Sequence, residues 1–180
     1  MVQKKRPVPE VDQVFDLLTS GDSLNYAFLR GQLVVEGILV EALRAKLEHP
    51  EAIELDRLSY SGIVGMCRAL GMIDDNVLGL LRKIGKLRNT MAHDLRYELS
   101  FQEIFELAKL ASAAGVSFSD ETIFNDEQRS REWYGASGIL QELFQNLAQD
   151  LVCLFDPKLE GVFSEFFSPP AGNSTEHLVE

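Results

Sequence analysis

The chain has 180 residues, 46% of them hydrophobic and 25% charged, which suits one folded domain with one sizeable core and excludes a fibrous or wholly disordered protein. Acidic residues number 28 against 17 basic ones, a net charge of −11. The surface as a whole therefore repels a phosphate backbone, and non-specific coating of nucleic acid is excluded unless a local basic patch overrides that field.

No apolar run approaches the length of a membrane span, and Lys4, Lys5 and Arg6 lead into Pro7 and Pro9, not into the apolar core of a signal peptide. The expectation is a cytoplasmic protein that neither enters nor crosses a membrane. Residues 1–10 and the Ser, Pro, Gly and Asn-rich residues 168–180 bury too little to order themselves and read as disordered tails, leaving 11–167 as the folded domain. Within it apolar residues recur at three and four positions, not at two, so the fold expected is an all-α single bundle of about five to six helices.

A short helix is expected at 12–19 and a long one at 23–48. A third, over 57–70, stops at Gly71, and a fourth starts on Asp74 or Asp75 as N-cap and runs towards His93. Ser100 and Glu103 have capping-box spacing and open a helix to about 113. Asn125 with Gln128 opens the last long helix, which ends before Asp156-Pro157, and a Phe-rich segment at 159–167 docks on it. That helix places Trp133, Ala136, Leu140, Leu143, Phe144, Leu147, Leu151, Leu154 and Phe155 on one core-facing side. Gly135 and Gly138 each cost about 1 kcal/mol relative to Ala in a helix, which points to a backbone passing close by, from a neighbouring helix or a second subunit. Cys67 and Cys153 lie in apolar stretches without metal-ligand spacing and read as buried thiols, with neither a zinc site nor a disulfide.

No phosphate-binding loop, serine-hydrolase elbow or metalloprotease motif occurs. His49 beside Pro50 and His177 near the end read as solvated residues, whereas His93 has more interesting neighbours. At about 100° per residue, Val77, Leu80, Leu81, Ile84, Leu87 and Met91 form an apolar arc, with Arg88 in its middle and turned towards the core. Arg82, Lys86, Asn89 and His93 form the opposite face and Lys83 flanks it, so one local concentration of positive charge coincides with His93. A buried arginine needs an acceptor, and Glu36, lying among Leu29, Val40 and Leu43 and away from the Arg30, Gly37, Glu41, Arg44 stripe, is the best placed. The pair expected is either a structural bridge that fixes helix register or part of a catalytic site. Replacing Arg88 by Ala should then cost roughly 3–5 kcal/mol.

The segment Lys83-Ile84-Gly85-Lys86-Leu87-Arg88-Asn89-Thr90-Met91-Ala92-His93-Asp94 resembles the R-N-x-x-A-H signature of the HEPN superfamily, all-helical proteins whose active members cut RNA without a metal. Residues from about 57 to 104 also look like the central part of the mannitol-repressor family, a HEPN-like group. The resemblance implies that Arg88 and His93 hold the positions of the catalytic pair, with Asn89 the polar residue beside it and Glu36 a looser match to an acidic position on an earlier helix. It implies a homodimer whose two sites meet in one cleft, and RNA cut by its own 2′ oxygen to leave a cyclic phosphate. Arg82, Lys83 and Lys86 would bind the RNA, and no cofactor or metal would be needed.

Two functional readings follow from the resemblance: a toxin or defence ribonuclease with an antitoxin partner, or a mannitol-repressor-like regulator acting through contacts with a transcription factor. A helical interaction module with an inert motif is the third. The geometry sets a condition on the first, because five residues on an unbroken helix stand about 140° apart. Either the helix loosens before His93 or the site is shared between subunits.

Overall fold

In the computed structural model, which describes residues 23–94 and 97–155, helix α1 (Leu24–Lys46) is buried nearly all round. From Gly31 to Leu43 only Leu33 is exposed, as expected for a helix whose apolar residues do not keep to one face. It starts on Ser23, whose hydroxyl accepts from the Tyr26 N–H, and gives way to extended chain at Leu47. Single turns of 3₁₀ helix at Pro50–Ala52 and Leu55–Arg57 lead to α2 (Tyr60–Ala69), α3 (Asp75–His93), α4 (Phe101–Ala113), α5 (Thr122–Asn125), α6 (Glu127–Trp133) and α7 (Gly135–Phe155). The architecture is an all-α helical bundle, with no strand among the described residues. Helix α1 packs on α2, α3 and α7, while α4 joins α3 to α7, and one hydrophobic core runs through all of these contacts. No described helix is long and apolar enough to cross a membrane. The expected helix at 12–19, the segment at 159–167, both tails and His177 lie outside the described residues.

The caps read from the sequence form where local chemistry alone decides them. The Asp74 carboxylate accepts from the Val77 N–H at 2.9 Å and starts α3, and Ser100 with Glu103 makes a complete capping box at the start of α4. The helix expected from residue 57 begins instead at Tyr60, because Ser59 accepts from the Gly62 N–H and sets a later start.

The last long helix is a larger correction. Asp126, not Asn125, caps α6, and the chain breaks again at Gly135, whose φ of +62° belongs to the left-handed region that glycine adopts without strain. The Tyr134 hydroxyl donates to Asp120 at 2.8 Å beside this break. Gly135 is therefore there for its backbone conformation: a Cβ would meet nothing within 4 Å, and one on Gly138 would meet only Tyr134 Cβ, at 3.6 Å. No backbone approaches either glycine within the described chain. Trp133 belongs to α6 and is 60% exposed, and Leu154 and Cys153 lie on the outside of the last turn of α7, so of the two thiols only Cys67 is buried. Glu41, read as part of a solvent-facing stripe, is also buried and pairs with Arg44, which reaches Asp56 at 3.4 Å.

The close approach that the sequence reading sought at the start of α7 occurs deeper, between α1 and α7. The Phe144 ring lies over Gly31, where a Cβ would fall 2.3 Å from Cγ, and meets Phe28 edge-on with centroids 5.4 Å apart. Gly31→Ala would gain about 1 kcal/mol of helix propensity, but Phe144 is fully buried and cannot retreat. We expect a net loss of roughly 1–3 kcal/mol in urea unfolding, partly recovered when Phe144→Leu is added.

A second tie fixes the far end of α3. The Asn25 side chain donates to the Tyr97 carbonyl at 2.6 Å and accepts from the Leu99 N–H at 2.9 Å, holding the start of α4 against the start of α1. Glu103 accepts from the Tyr97 hydroxyl at 2.6 Å and from Ser100. Burial opposes its ionisation, but the hydrogen bonds from Ser100 and Tyr97, with the Lys83 charge nearby, outweigh it and hold the carboxyl below its ordinary range. A depressed carboxyl contributes stability above its unfolded pKa and loses it as pH falls through the folded value. Glu103→Gln should therefore lower the melting temperature at pH 7, by the equivalent of about 1 kcal/mol, and the gap from wild type should close as the pH is taken below 4.

Candidate functional site

Helices α2 and α3 border a cleft of about 780 Å³. The α2 side contributes Leu58, Ser59, Tyr60, Ser61, Val64 and Gly65. The α3 side contributes Arg82, Gly85, Lys86, Arg88, Asn89, Thr90 and His93, and Glu36 from α1 completes the lining. All the sequence-selected residues meet here except Lys83. That lysine is half-buried on the other flank of α3, where its charge acts on Glu103 at the start of α4.

Arg88 corrects the sequence reading. Its position on the wheel is as expected, but at that level the inward arc of α3 borders the cleft, and the side chain is exposed there. Its guanidinium donates to Asn89 Oδ1 at 3.2 Å and forms no ion pair with Glu36. Glu36 is 9% exposed and accepts from Gln32 Nε2 at 2.7 Å along α1. Arginine and glutamate thus share a cleft without forming the bridge. Helix α3 stays regular through His93, with the Asp94 N–H bonded to the Thr90 carbonyl. His93 is exposed at the last turn, and it and Arg88 line the same cleft with no loosening of the helix.

The electrostatics of this cleft depart from those of the chain. Arg82, Lys86 and Arg88 stand against the single carboxylate of Glu36, beside the exposed imidazole. Ser59 and Ser61 lie at the N-terminus of α2, the positive end of that helix dipole. A cleft so built attracts an anion with several oxygens, such as a phosphate.

Tyr60 is the site residue that sequence reasoning missed. Its ring lies against Gly85, where a Cβ would fall 2.9 and 3.0 Å from Cδ1 and Cε1, and its buried hydroxyl has no hydrogen-bond partner. Burial, then the Glu36 charge, then Cys67 raise the phenol far above its ordinary range, so it stays protonated. The one signal in the sequence was Gly85, a glycine inside a strong helix that leaves room for a ring. His49 is exposed beside Glu51, as its position at a helix end suggested.

Among the described residues no group of three or more His, Cys, Asp or Glu side chains is arranged to hold a metal ion. No family model, curated protein or solved structure matches the chain.

Because Arg88 is exposed, the loss of 3–5 kcal/mol expected for a buried ion pair no longer applies. Arg88→Ala should leave thermal stability within about 0.5 kcal/mol of wild type, read from calorimetric melting. A large loss would mean that the guanidinium is held by a buried acceptor after all.

Proposed function

We propose that the protein is a metal-independent endoribonuclease of HEPN type, working as a homodimer in a toxin or defence setting. The observation that carries this reading is the cluster of Arg82, Lys86 and Arg88 around His93, in a cleft that also holds the N-terminus of α2, on a chain whose net charge is −11. Such a concentration of positive charge on an acidic protein has a use if the ligand carries phosphate.

In this reading the 2′ oxygen of the RNA attacks the adjacent phosphorus, the bond to the 5′ oxygen breaks, and a cyclic phosphate remains. An imidazole can take and give a proton near neutral pH, so His93 accepts the 2′ proton and returns one to the departing 5′ oxygen. Arg88, with its planar fork of donors, holds the charge that builds on the phosphoryl oxygens, and Asn89 accepts one of its N–H groups and orients it. Arg82 and Lys86 hold the neighbouring phosphates. Lys83 has no part in this, since it acts on the other flank of α3.

A second reading, a regulator of mannitol-repressor type that works through protein contacts, is favoured by a separate observation. Tyr26 and Leu33 are 44% and 59% exposed on one face of the otherwise buried α1, with the Arg30 guanidinium over the Tyr26 ring, a mixed surface that a protein partner could cover.

The test is incubation of purified protein with single-stranded RNA in EDTA. Wild type should yield products ending in cyclic phosphate, and folded His93→Ala should be slower by about 100-fold or more. Equal cleavage by both, or none by wild type, overturns the nuclease reading and makes capture of a transcription factor the next measurement.

A further inference from the structure

A second groove, of about 470 Å³, lies at the other end of α2 and α3 from the cleft. Met72, Val77, Val116, Leu147, Leu151 and Leu154 make its lining mostly apolar. Along α7, Leu147, Asp150, Leu151 and Leu154 have the i, i+3, i+4, i+7 spacing of a single helix face, so a carboxylate stands within an apolar stripe. Asp150 is half-buried, and one of its oxygens accepts from the Ser117 N–H at 3.1 Å. Among the described residues no cation pairs with it, and burial pushes its carboxyl up against the downward pull of the Ser117 bond. An asparagine would accept the same N–H without a charge to desolvate, so the clamp on Ser117 does not by itself call for an acid.

The electrostatics of the groove are one-sided. Helices α2, α4 and α7 all bring their C-terminal ends to it, where the helix dipole is negative. The turns after α2 and α4 use left-handed glycines, Gly71 at φ +67° and Gly115 at φ +86°, and neither puts a side chain into the opening. Helix α3 begins there, but the Asp74 carboxylate caps its positive end. Arg68, the basic residue of the lining, is held by Asp75 at 2.9 Å and by the Ile73 carbonyl at 3.3 Å. An apolar groove with negative charge in its middle fits a molecule with a positive head and an aliphatic body. We infer that the groove binds a small aliphatic amine: the ammonium donates to the oxygen of Asp150 that Ser117 leaves open, and the stem lies on Leu147, Leu151 and Leu154. Leu147 and Leu154 stand about 4.5 and 6 Å from Asp150 along the helix axis, a distance that a chain of about five or six carbons spans. The site is separate from the cleft, so its test needs no RNA.

The test uses the full chain at neutral pH with hexylamine, hexan-1-ol and hexanoate, which differ in the head group. Binding is followed by NMR, from the shifts of the Gly115 and Ser117 amides, for wild type, Asp150→Asn and Leu154→Ser. Hexylamine should bind wild type at about millimolar concentration and about ten-fold more tightly than hexan-1-ol, with hexanoate weakest. Asp150→Asn should erase the preference for the amine and leave hexan-1-ol binding unchanged, whereas Leu154→Ser should weaken both. The melting temperature of Asp150→Asn should equal or exceed that of wild type, since the amide still accepts from Ser117, so that loss of amine binding does not reflect misfolding. If hexan-1-ol or hexanoate binds wild type as tightly as hexylamine, or if Asp150→Asn keeps the preference for the amine, the inference is overturned and Asp150 is only the acceptor for Ser117. Failure of all three probes to bind wild type overturns it as well.

Discussion

A helix buried on nearly every side has to carry polar side chains into the interior, and each of these has to be answered by what surrounds it. Helix α1 is that helix, and it carries Gln32, Glu36 and Glu41 into the interior. Glu41 is answered in a conventional way by Arg44, which continues to Asp56 and ties α1 to the 3₁₀ turn at Leu55–Arg57. Glu36 accepts from Gln32 and lies where α2 and α3 border the cleft. That position also puts Glu36 in the same cleft as Arg82, Lys86 and Arg88.

Two glycines set the spacing around α1 with opposite results. At Gly31 the absence of a Cβ admits the Phe144 ring, and α1 and α7 close into dry, fully packed core. At Gly85 it admits the Tyr60 ring, but that ring ends in a hydroxyl with no partner, at the edge of a cleft. The first contact has every property of a stability device. In the second a polar group is left unmatched where an apolar one of nearly the same shape was available, the kind of local inconsistency that proteins keep at sites of use.

What the sequence revealed followed the range of the interaction involved. Asp74, Ser100 and Glu103 could be read because a cap needs only residues three positions apart. The break at Gly135 could not, since periodicity continues on either side of it and only the positive φ marks the change of direction. The wheel gave Arg88 its correct angle and the wrong environment: angle comes from the helix alone, while burial depends on whether a neighbouring helix stands opposite. Lys83 differs from Lys86 by less than a turn, yet one lies near Glu103 and the other in the cleft, a division drawn by the placement of α4. Tyr60 was illegible for the same reason, because an unpaired hydroxyl exists only relative to everything that could have paired with it.

The contrast between an acidic chain and a basic cleft also bears on which ligands could reach the site. Charges beyond about 8 Å are largely screened at physiological ionic strength, so most of the net charge of −11 acts on an approaching polyanion only weakly and as a diffuse repulsion. The cations of the cleft act at contact distance, where screening is least. A rigid duplex lying across the surface would meet many carboxylates for each cation it could touch. A flexible strand can put one or two phosphates and one base into the cleft and keep the rest in solvent. On the RNA reading, the same charge distribution that argues against a general nucleic-acid binder therefore favours a single-stranded substrate engaged over very few nucleotides.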